Sequence, residues 1–350
     1  MKKVLIAMSG GVDSAVTAYL LKEQGYDCVG VMMRLHESAT DENRDVDDAR
    51  ATADKLGISF HVHDLTKEFK EQVIERFVRA YEQGLTPNPC VNCNRDMKFG
   101  KLFEYAAELG CSHVATGHYA RVVYAPDKGR WLLKKGKDES KDQSYVLYNL
   151  TQEQLARTLL PLGEYDKEQV RALAVAHGLV NPNRPDSQDI CFIPGGDYVQ
   201  FLTDYRGSQY PPGKFIDKHG EELGEHKGIV RYTVGQRKGL GVSHSEKLFV
   251  SAKSAEDNTV TLVEKADLVT HSLIADELNL IDRERLAEPT RVAVRTRYHQ
   301  VERAAVVEQL DDTSIRVSFV HPHGAVAPGQ SVVMYDGDVV VGGATILRAE

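Results

Sequence analysis

Val4-Leu5-Ile6-Ala7-Met8-Ser9-Gly10-Gly11-Val12-Asp13-Ser14 decides the fold class of this chain. An apolar run gives way to two glycines flanked by hydroxyls. Val12, Val16, Leu20 and Leu21 then follow at helical spacing. The order is strand, glycine turn, helix start. That geometry points backbone N–H groups and the positive end of a helix into one small space. The glycines let backbone approach an anion with no Cβ in the way, and Ser9 and Ser14 add hydroxyl donors. The natural occupant is a phosphate; the alternative is a strand-to-helix turn without a ligand. No Lys stands where a G-x-x-x-x-G-K-[ST] loop needs one, and G-x-G-x-x-G is absent after this strand.

Around this loop, residues 1–120 alternate strand and helix. Strands are expected at Val4–Met8, Cys28–Met33, Ser59–His63 and His113–Thr116. Helices are expected at Asp13–Gln24, Asp45–Leu56, Lys67–Tyr81 and Phe99–Leu109. The rhythm predicts an α/β unit, a parallel sheet with helices on both faces. Ligands then collect at the carboxyl ends of the strands, where Ser9–Ser14 and Gly117-His118 both fall. Residues 121–150 suggest a hairpin with a basic tip. Helices return at Gln152–Leu160 and Lys167–His177, and residues 181–200 look irregular. From about 206 short alternating runs and glycine turns take over, as in an all-β region. The expected division is 1–205 for the nucleotide domain, 206–272 for a small central β domain, and 273–350 for a C-terminal β-barrel.

The chain has 350 residues, 27% charged and 42% hydrophobic, an ordinary balance for a globular enzyme. No apolar stretch is long enough to span a membrane, and Met1-Lys2-Lys3 runs straight into the first strand. The expected compartment is the cytosol. The net charge of −8 argues mildly against nucleic acid. Sign distribution matters more. Residues 37–54 are acid-rich, while Arg291, Arg295, Arg297 and Arg303, and separately Lys134, Lys135, Lys137 and Lys141, cluster as bases, so a basic groove on an acidic protein fits.

An odd count of 5 cysteines in a cytosolic chain is not a disulfide framework. Cys28 on a strand and Cys111 beside a helix end suit core packing. Cys90 and Cys93 form C-x-x-C in the proline-stiffened loop Thr86–Asn94. With no second C-x-x-C, a four-cysteine zinc site is ruled out within the chain. Structural thiols, a redox pair and half a metal site all remain open. Cys191 lies between polar Ser187-Gln188-Asp189 and an apolar run. His61, His63, His321 and His323 lack partners at metal-ligand spacing and suit structural or surface roles.

A strand followed by S-G-G-x-D-S resembles the signature of the PP-loop ATP pyrophosphatases, which cut ATP between its α and β phosphates and adenylate a substrate. Ser9–Ser14, Pro89–Asn94 and Ser187–Ile193 together resemble the tRNA-specific 2-thiouridylases of that family. So do Gly117–Arg121, Lys141–Tyr145, Tyr232–Gly241 and Ala327–Gln330. The resemblance implies ATP-dependent 2-thiolation of the wobble uridine, position 34, of tRNA. The C2 oxygen is adenylated, sulfur displaces it, and AMP and pyrophosphate leave.

The resemblance also implies roles for individual residues. Ala7, Met8, Ser9, Gly10, Gly11, Val12, Asp13, Ser14, Met33 and Gly117 would bind ATP, and Asp13 could help hold Mg²⁺ at the departing pyrophosphate. Cys93 is the implied nucleophile and Cys191 the persulfide carrier, the two closing a transient disulfide once sulfur leaves. Both thiols are expected in an electropositive site that holds thiolate. Asn88, Pro89, Cys90, His118, Lys141, Asp142, Gln143, Arg297, Tyr298 and Gln330 would contact tRNA or the target base. A tRNA and a persulfide carrier protein or cysteine desulfurase are the implied partners of a monomer.

Many relatives have Asp where this chain has Cys90, so that Asp's role does not transfer to it. Three thiolates, Cys90, Cys93 and Cys191, could instead hold an iron–sulfur cluster. Two rivals stand beside this reading. One is a PP-loop synthetase acting on a small acid or another base, which would need neither thiol. The other is a non-catalytic nucleotide- or metal-binding module.

Overall fold

The structure, a computed structural model, describes residues 2–36, 42–179 and 190–350. The upstream part of the acid-rich stretch, 37–41, and Ser187-Gln188-Asp189 lie outside the described residues.

Strands β1 (Lys3–Ala7), β2 (Asp27–Arg34), β3 (Ser59–Asp64) and β4 (His113–Ala115) pair in parallel. The hairpin β5 (Ala120–Ala125) and β6 (Arg130–Lys135) follows, and then β7 (Thr158–Leu159) completes a sheet of order β3-β2-β1-β4-β7. After Lys3, β1 is apolar from Val4 to Ala7 because both its faces are covered. Val4 and Ile6 face helix α1 (Val12–Glu23), helix α2 (Glu42–Leu56) and the helix Lys167–Ala176, through Val16, Ala53 and Val170. Leu5 faces the helical stretch 89–108, through Leu102 and Ala106. The parallel sheet with helices on both faces is therefore present.

Four local expectations need correcting. Residues 89–93 form a helix and not a stiffened loop. Pro89 occupies its first turn, where a missing N–H costs nothing, and Asn88 caps it by accepting from the Cys90 amide at 3.1 Å. That helix runs on to 108 through a π-helical segment, Asn94–Lys101. The expected helix Gln152–Leu160 ends at Ala156, because Thr158–Leu159 adds to the sheet beside β4. Tyr198–Arg206, which begins inside the span 181–200 expected to be irregular and runs beyond it, is a helix, capped by Asp197 and ended by Gly207 at φ +69°.

Strands β8 (Gly213–Ile216), β9 (Glu222–His226), β10 (Leu248–Ser254) and β11 (Thr259–Glu264) form a second sheet. Its Phe215, Val250 and Leu262 share a core with Phe69, Phe77 and Tyr81 of helical residues 66–82. The remaining strands are β12 (Thr270–Leu280), β13 (Thr290–Arg295), β14 (Arg303–Gln309), β15 (Ile315–His323), β16 (Ser331–Asp336) and β17 (Val339–Ala349). β12 pairs with both β15 and β17, which closes a six-stranded antiparallel barrel. Closure removes exposed sheet edges.

The hairpin β5–β6 leaves the parallel sheet and joins β17 at Lys134↔Val339. Tyr145 and Tyr148 are buried between the two units, and the Tyr145 hydroxyl donates to the Ser331 carbonyl at 2.8 Å. The barrel is thus bound to the nucleotide unit by a buried joint.

Candidate functional site

The glycine loop lies between β1 and α1. Gly10 has φ +74°, and a Cβ there would stand 2.6 Å from the Asp45 carbonyl oxygen. Only glycine fits without backbone movement. Gly11 is the N-cap and makes no side-chain cap, so the first amides of α1 open into the turn. The Ser14 hydroxyl donates to the Gly11 carbonyl at 2.9 Å and accepts from the Ser9 amide at 3.1 Å, which holds the loop curled. Curled amides at a helix start suit a phosphate, and the residues present fit ATP phosphates.

Other expected ATP residues surround this turn. Ala7 ends β1, and the Met8 amide donates to the Val31 carbonyl at 2.8 Å. Met33 sits near the carboxyl end of β2, opposite His63. Gly117, just past β4, backs directly onto the loop: a Cβ there would stand 3.1 Å from Asp13 Cβ and 3.2 Å from the Ser14 amide.

Asp13 does not face the turn unpartnered. Lys167 Nζ lies 2.8 and 2.9 Å from its two oxygens, and the Tyr119 hydroxyl donates to Oδ1 at 2.8 Å. Lys167 is buried and its ammonium lies over the Tyr119 ring, 5.7 Å from the centroid. The expectation that Asp13 helps hold Mg²⁺ meets a carboxylate already engaged on both oxygens.

The thiols gather at a neighbouring point. Cys93 is buried, and Cys90 and Cys191 are exposed; all are free thiols. They are close enough to influence one another's ionisation, Cys93 with both Cys90 and Cys191. Burial pushes Cys93 up to about 12, and it raises Cys90 and Cys191 as well, since neighbours crowd their sulfurs even where the residue reaches solvent. The expectation of resting thiolates is therefore corrected: desolvation outweighs the nearby cation, and the sulfurs carry protons. That cation is Lys98, which opposes the rise at all three. Among the described residues no group of three His, Cys, Asp or Glu side chains is arranged to hold a metal ion.

His118 is buried, with Nδ1 2.6 Å from Thr116 Oγ1; desolvation, reinforced by Lys98, keeps it well below the usual histidine range and so neutral. Gly117 touches the glycine loop and His118 shares a cation with the thiols, so one strand end serves both sites.

The expected RNA contacts separate into two groups. Asp142 is buried and accepts from the Gly136 and Ser144 amides at 3.2 and 3.1 Å, from Ser144 Oγ at 3.0 Å and from Arg295 Nη1 at 3.1 Å. Gln143 Oε1 accepts from the Tyr119 amide at 2.9 Å. Gln330 Nε2 donates to the Thr86 carbonyl at 2.8 Å, which ties the barrel to the chain leading into Asn88 and Pro89. These three side chains hold the protein together. Tyr298, half-buried, comes close enough to Cys90 to share its field; Arg297 is exposed and its guanidinium reaches the Val234 carbonyl at 3.3 Å. Lys141 is half-buried beside Asp142. These, with Cys90 itself, are the side chains of the set that reach solvent.

Lys98 and Lys167 were not expected from the sequence, and Tyr119 only as part of the stretch Gly117–Arg121. A lysine in the first helical turn, as Lys167 is, opposes the helix dipole and is a legible sign of another duty. Lys98 left no such sign.

A parallel-sheet nucleotide loop, a cysteine cluster and an attached barrel define a multidomain enzyme of the RNA-modifying kind. Family models described as tRNA methyl transferase HUP domain, tRNA methyl transferase PRC-barrel domain and Aminomethyltransferase beta-barrel domain match residues 2–195, 199–264 and 270–346. A protein of Lachnoclostridium phytofermentans named tRNA-specific 2-thiouridylase MnmA is 45% identical over 99% of this chain and 100% of its own length. One of the same name from Clostridioides difficile is 45% identical over 99% of both chains. The chain belongs to the tRNA-specific 2-thiouridylase family.

Proposed function

We propose that this protein is a tRNA sulfurtransferase that replaces the C2 oxygen of uridine 34 with sulfur at the expense of ATP. The observation that carries the reading is the shared strand end. Gly117 packs on the glycine loop, and His118, the next residue, lies in the field of the Lys98 that faces all three thiols. One substrate atom can then meet both a phosphate site and a sulfur site. The family model's description speaks of methyl transfer, but a phosphate loop beside clustered thiols suits adenylation and sulfur transfer, for which the relatives are named.

In this reading the loop amides and the α1 N-terminus hold the phosphates of ATP, and Lys167 keeps Asp13 in place beneath them. The C2 oxygen of the base attacks the α phosphorus and pyrophosphate leaves. The adenylated oxygen is then a good leaving group. Cys191, exposed, receives sulfur as a persulfide from a carrier protein or a cysteine desulfurase. Its terminal sulfur attacks C2 and AMP departs. Cys93 attacks the inner persulfide sulfur and the two cysteines close a disulfide, which a reductant must reopen. Tyr298 and Arg297 present a ring and a cation to the RNA from the barrel. The division into 1–205, 206–272 and 273–350 assigns chemistry to the first unit and RNA contact to the last. The working form is a monomer in the cytosol.

Purified protein with unmodified tRNA, ATP and a persulfide donor should produce 2-thiouridine, detected by nucleoside mass spectrometry. Cys93→Ser and Cys191→Ser should retain ATP binding and lose the product. Normal thiolation by either variant overturns the assignment.

A further inference from the structure

We propose that Arg295 and Glu302 are positioning residues for RNA: their ion pair clamps the turn that carries Arg297 and Tyr298 and registers it against the segment Lys141–Gln143. The inference rests on the tRNA sulfurtransferase reading and deepens it, since it joins two separate contact segments into one surface.

The turn 296–302 connects β13 to β14, and its two feet are held together. Arg295, the last residue of β13, donates from Nη2 to Glu302 Oε1 at 2.8 Å and from Nε to the same oxygen at 3.2 Å. Inside the turn, Gln300 Oε1 accepts from the Thr296 amide at 2.9 Å and from the Thr296 hydroxyl at 2.8 Å. Gln300 Nε2 donates to His323 Nε2 of β15 at 2.8 Å. Thr296, Gln300 and Glu302 are thus committed inward, while Arg297, His299 and Val301 are exposed.

Arg295 also reaches the other segment, where its Nη1 donates to Asp142 Oδ2 at 3.1 Å. Lys135 of β6 pairs with Glu302. Lys135 and Arg295 both lie over the buried Tyr335 ring, 4.6 and 4.8 Å from its centroid. Lys135, Arg295, Asp142 and Glu302 therefore close into a neutral set, Asp142 buried and the others half-buried. A neutral set has no net charge to offer a phosphate, but shielded from water its charge-assisted bonds fix geometry. The Tyr298 ring adds a contact to the same segment, 5.9 Å from the Tyr145 ring. Gln143 carries the register on to the strand end. Its amide donates to the Tyr119 carbonyl and its Oε1 accepts from the Tyr119 amide, both at 2.9 Å. A line of bonds thus runs from the turn to the residue after His118. It fixes the spacing between a base held at that strand end and a backbone held by Arg297, and errors of about 1 Å in such spacing are costly.

The test is filter binding of tRNA, without ATP or sulfur donor. Removing an acid beside an RNA-facing turn would by charge alone tighten binding to a polyanion. Positioning requires the opposite sign: Glu302→Ala should weaken binding about tenfold, a coupling typical of residues in one network. Arg297→Ala should cost less than about threefold in that background, because the guanidinium is already misplaced, and should cost more in the wild-type background. Loosening elsewhere in the barrel would leave the two effects additive. Glu302→Gln keeps an acceptor for Arg295, should bind between the Ala variant and wild type, and carries the test if the Ala variant does not fold. Binding at or above wild type by either Glu302 variant overturns the proposal, as does a full Arg297 effect in both backgrounds. A wild-type protein that binds no tRNA overturns the functional reading as well, so the two failures are told apart.

Discussion

Lys167 Nζ lies 2.8 Å from Asp13 Oδ1 and 2.9 Å from Oδ2, across 154 residues of sequence. The pair fixes the first turn of α1 to the helix Lys167–Ala176. Lys167→Met should lower tRNA-dependent pyrophosphate release at least tenfold and cost about 1–3 kcal/mol of stability, since a charge-assisted contact is lost in a largely desolvated place. Lys167→Arg should recover part of both. A pyrophosphate assay with a thermal melt checks this; wild-type release from the Met variant would refute the role.

The two loop glycines should differ. Gly10→Ala forces φ +74° on an L side chain and drives a Cβ to 2.6 Å from the Asp45 carbonyl, so a loss of about 2 kcal/mol and of pyrophosphate release is expected. At Gly11 φ is −88° and the nearest atom to an added Cβ is Ser9 Oγ at 3.5 Å. Gly11→Ala should fold with near-wild-type stability. Equal melting temperatures for the two variants would sink the distinction.

Asp142 and Arg297 separate folding from RNA contact. Asp142→Ala removes the acceptor for two amides, a hydroxyl and Arg295, and should destabilise by about 3 kcal/mol through the buried partners left behind. Arg297→Ala should leave the melt almost unchanged. It should weaken tRNA binding and reduce the slope of log affinity against log salt by about 1. Filter binding at several salt concentrations decides between these outcomes.

Lys253 provides a pH test. Its ammonium donates to the Tyr232 carbonyl at 2.7 Å, and burial lowers it to about 8. Between about 8 and its ordinary value of 10.5 the unfolded chain binds more protons than the folded one, so stability rises with pH in that window. Lys253→Met lacks this rise. Its stability relative to wild type should therefore fall as pH increases from 8 to 10, measured by urea unfolding. A constant difference across that range would contradict the assignment.

Much of the nucleotide unit was legible from residues alone. The apolar β1, the glycine turn and the amphipathic spacing after it are local features, and local sterics and burial of a strand between two helical layers leave little alternative. Cys90 and Cys93 were visible by their spacing, although their helix was not. The prolines suggested a loop, but Pro89 stands in a first turn, where proline is tolerated, and Asn88 caps it. The helix Tyr198–Arg206 was missed because its pattern is short and follows a polar stretch.

The sequence by itself determined a strand–glycine turn–helix whose geometry suits a phosphate, a parallel sheet around it, and a β-rich remainder, because these depend on the conformational limits of neighbouring residues. Only the tertiary structure decided the rest. It placed Lys167 on Asp13, gave Asp142 and Gln330 to the joints between units, and buried Cys93, which pushes its thiol up to about 12. Hydrogen bonds across more than a hundred residues and desolvation by distant segments are properties of packing, and no local pattern encodes them. The π segment Asn94–Lys101 has the same origin: it departs from the helical period by which the sequence was read.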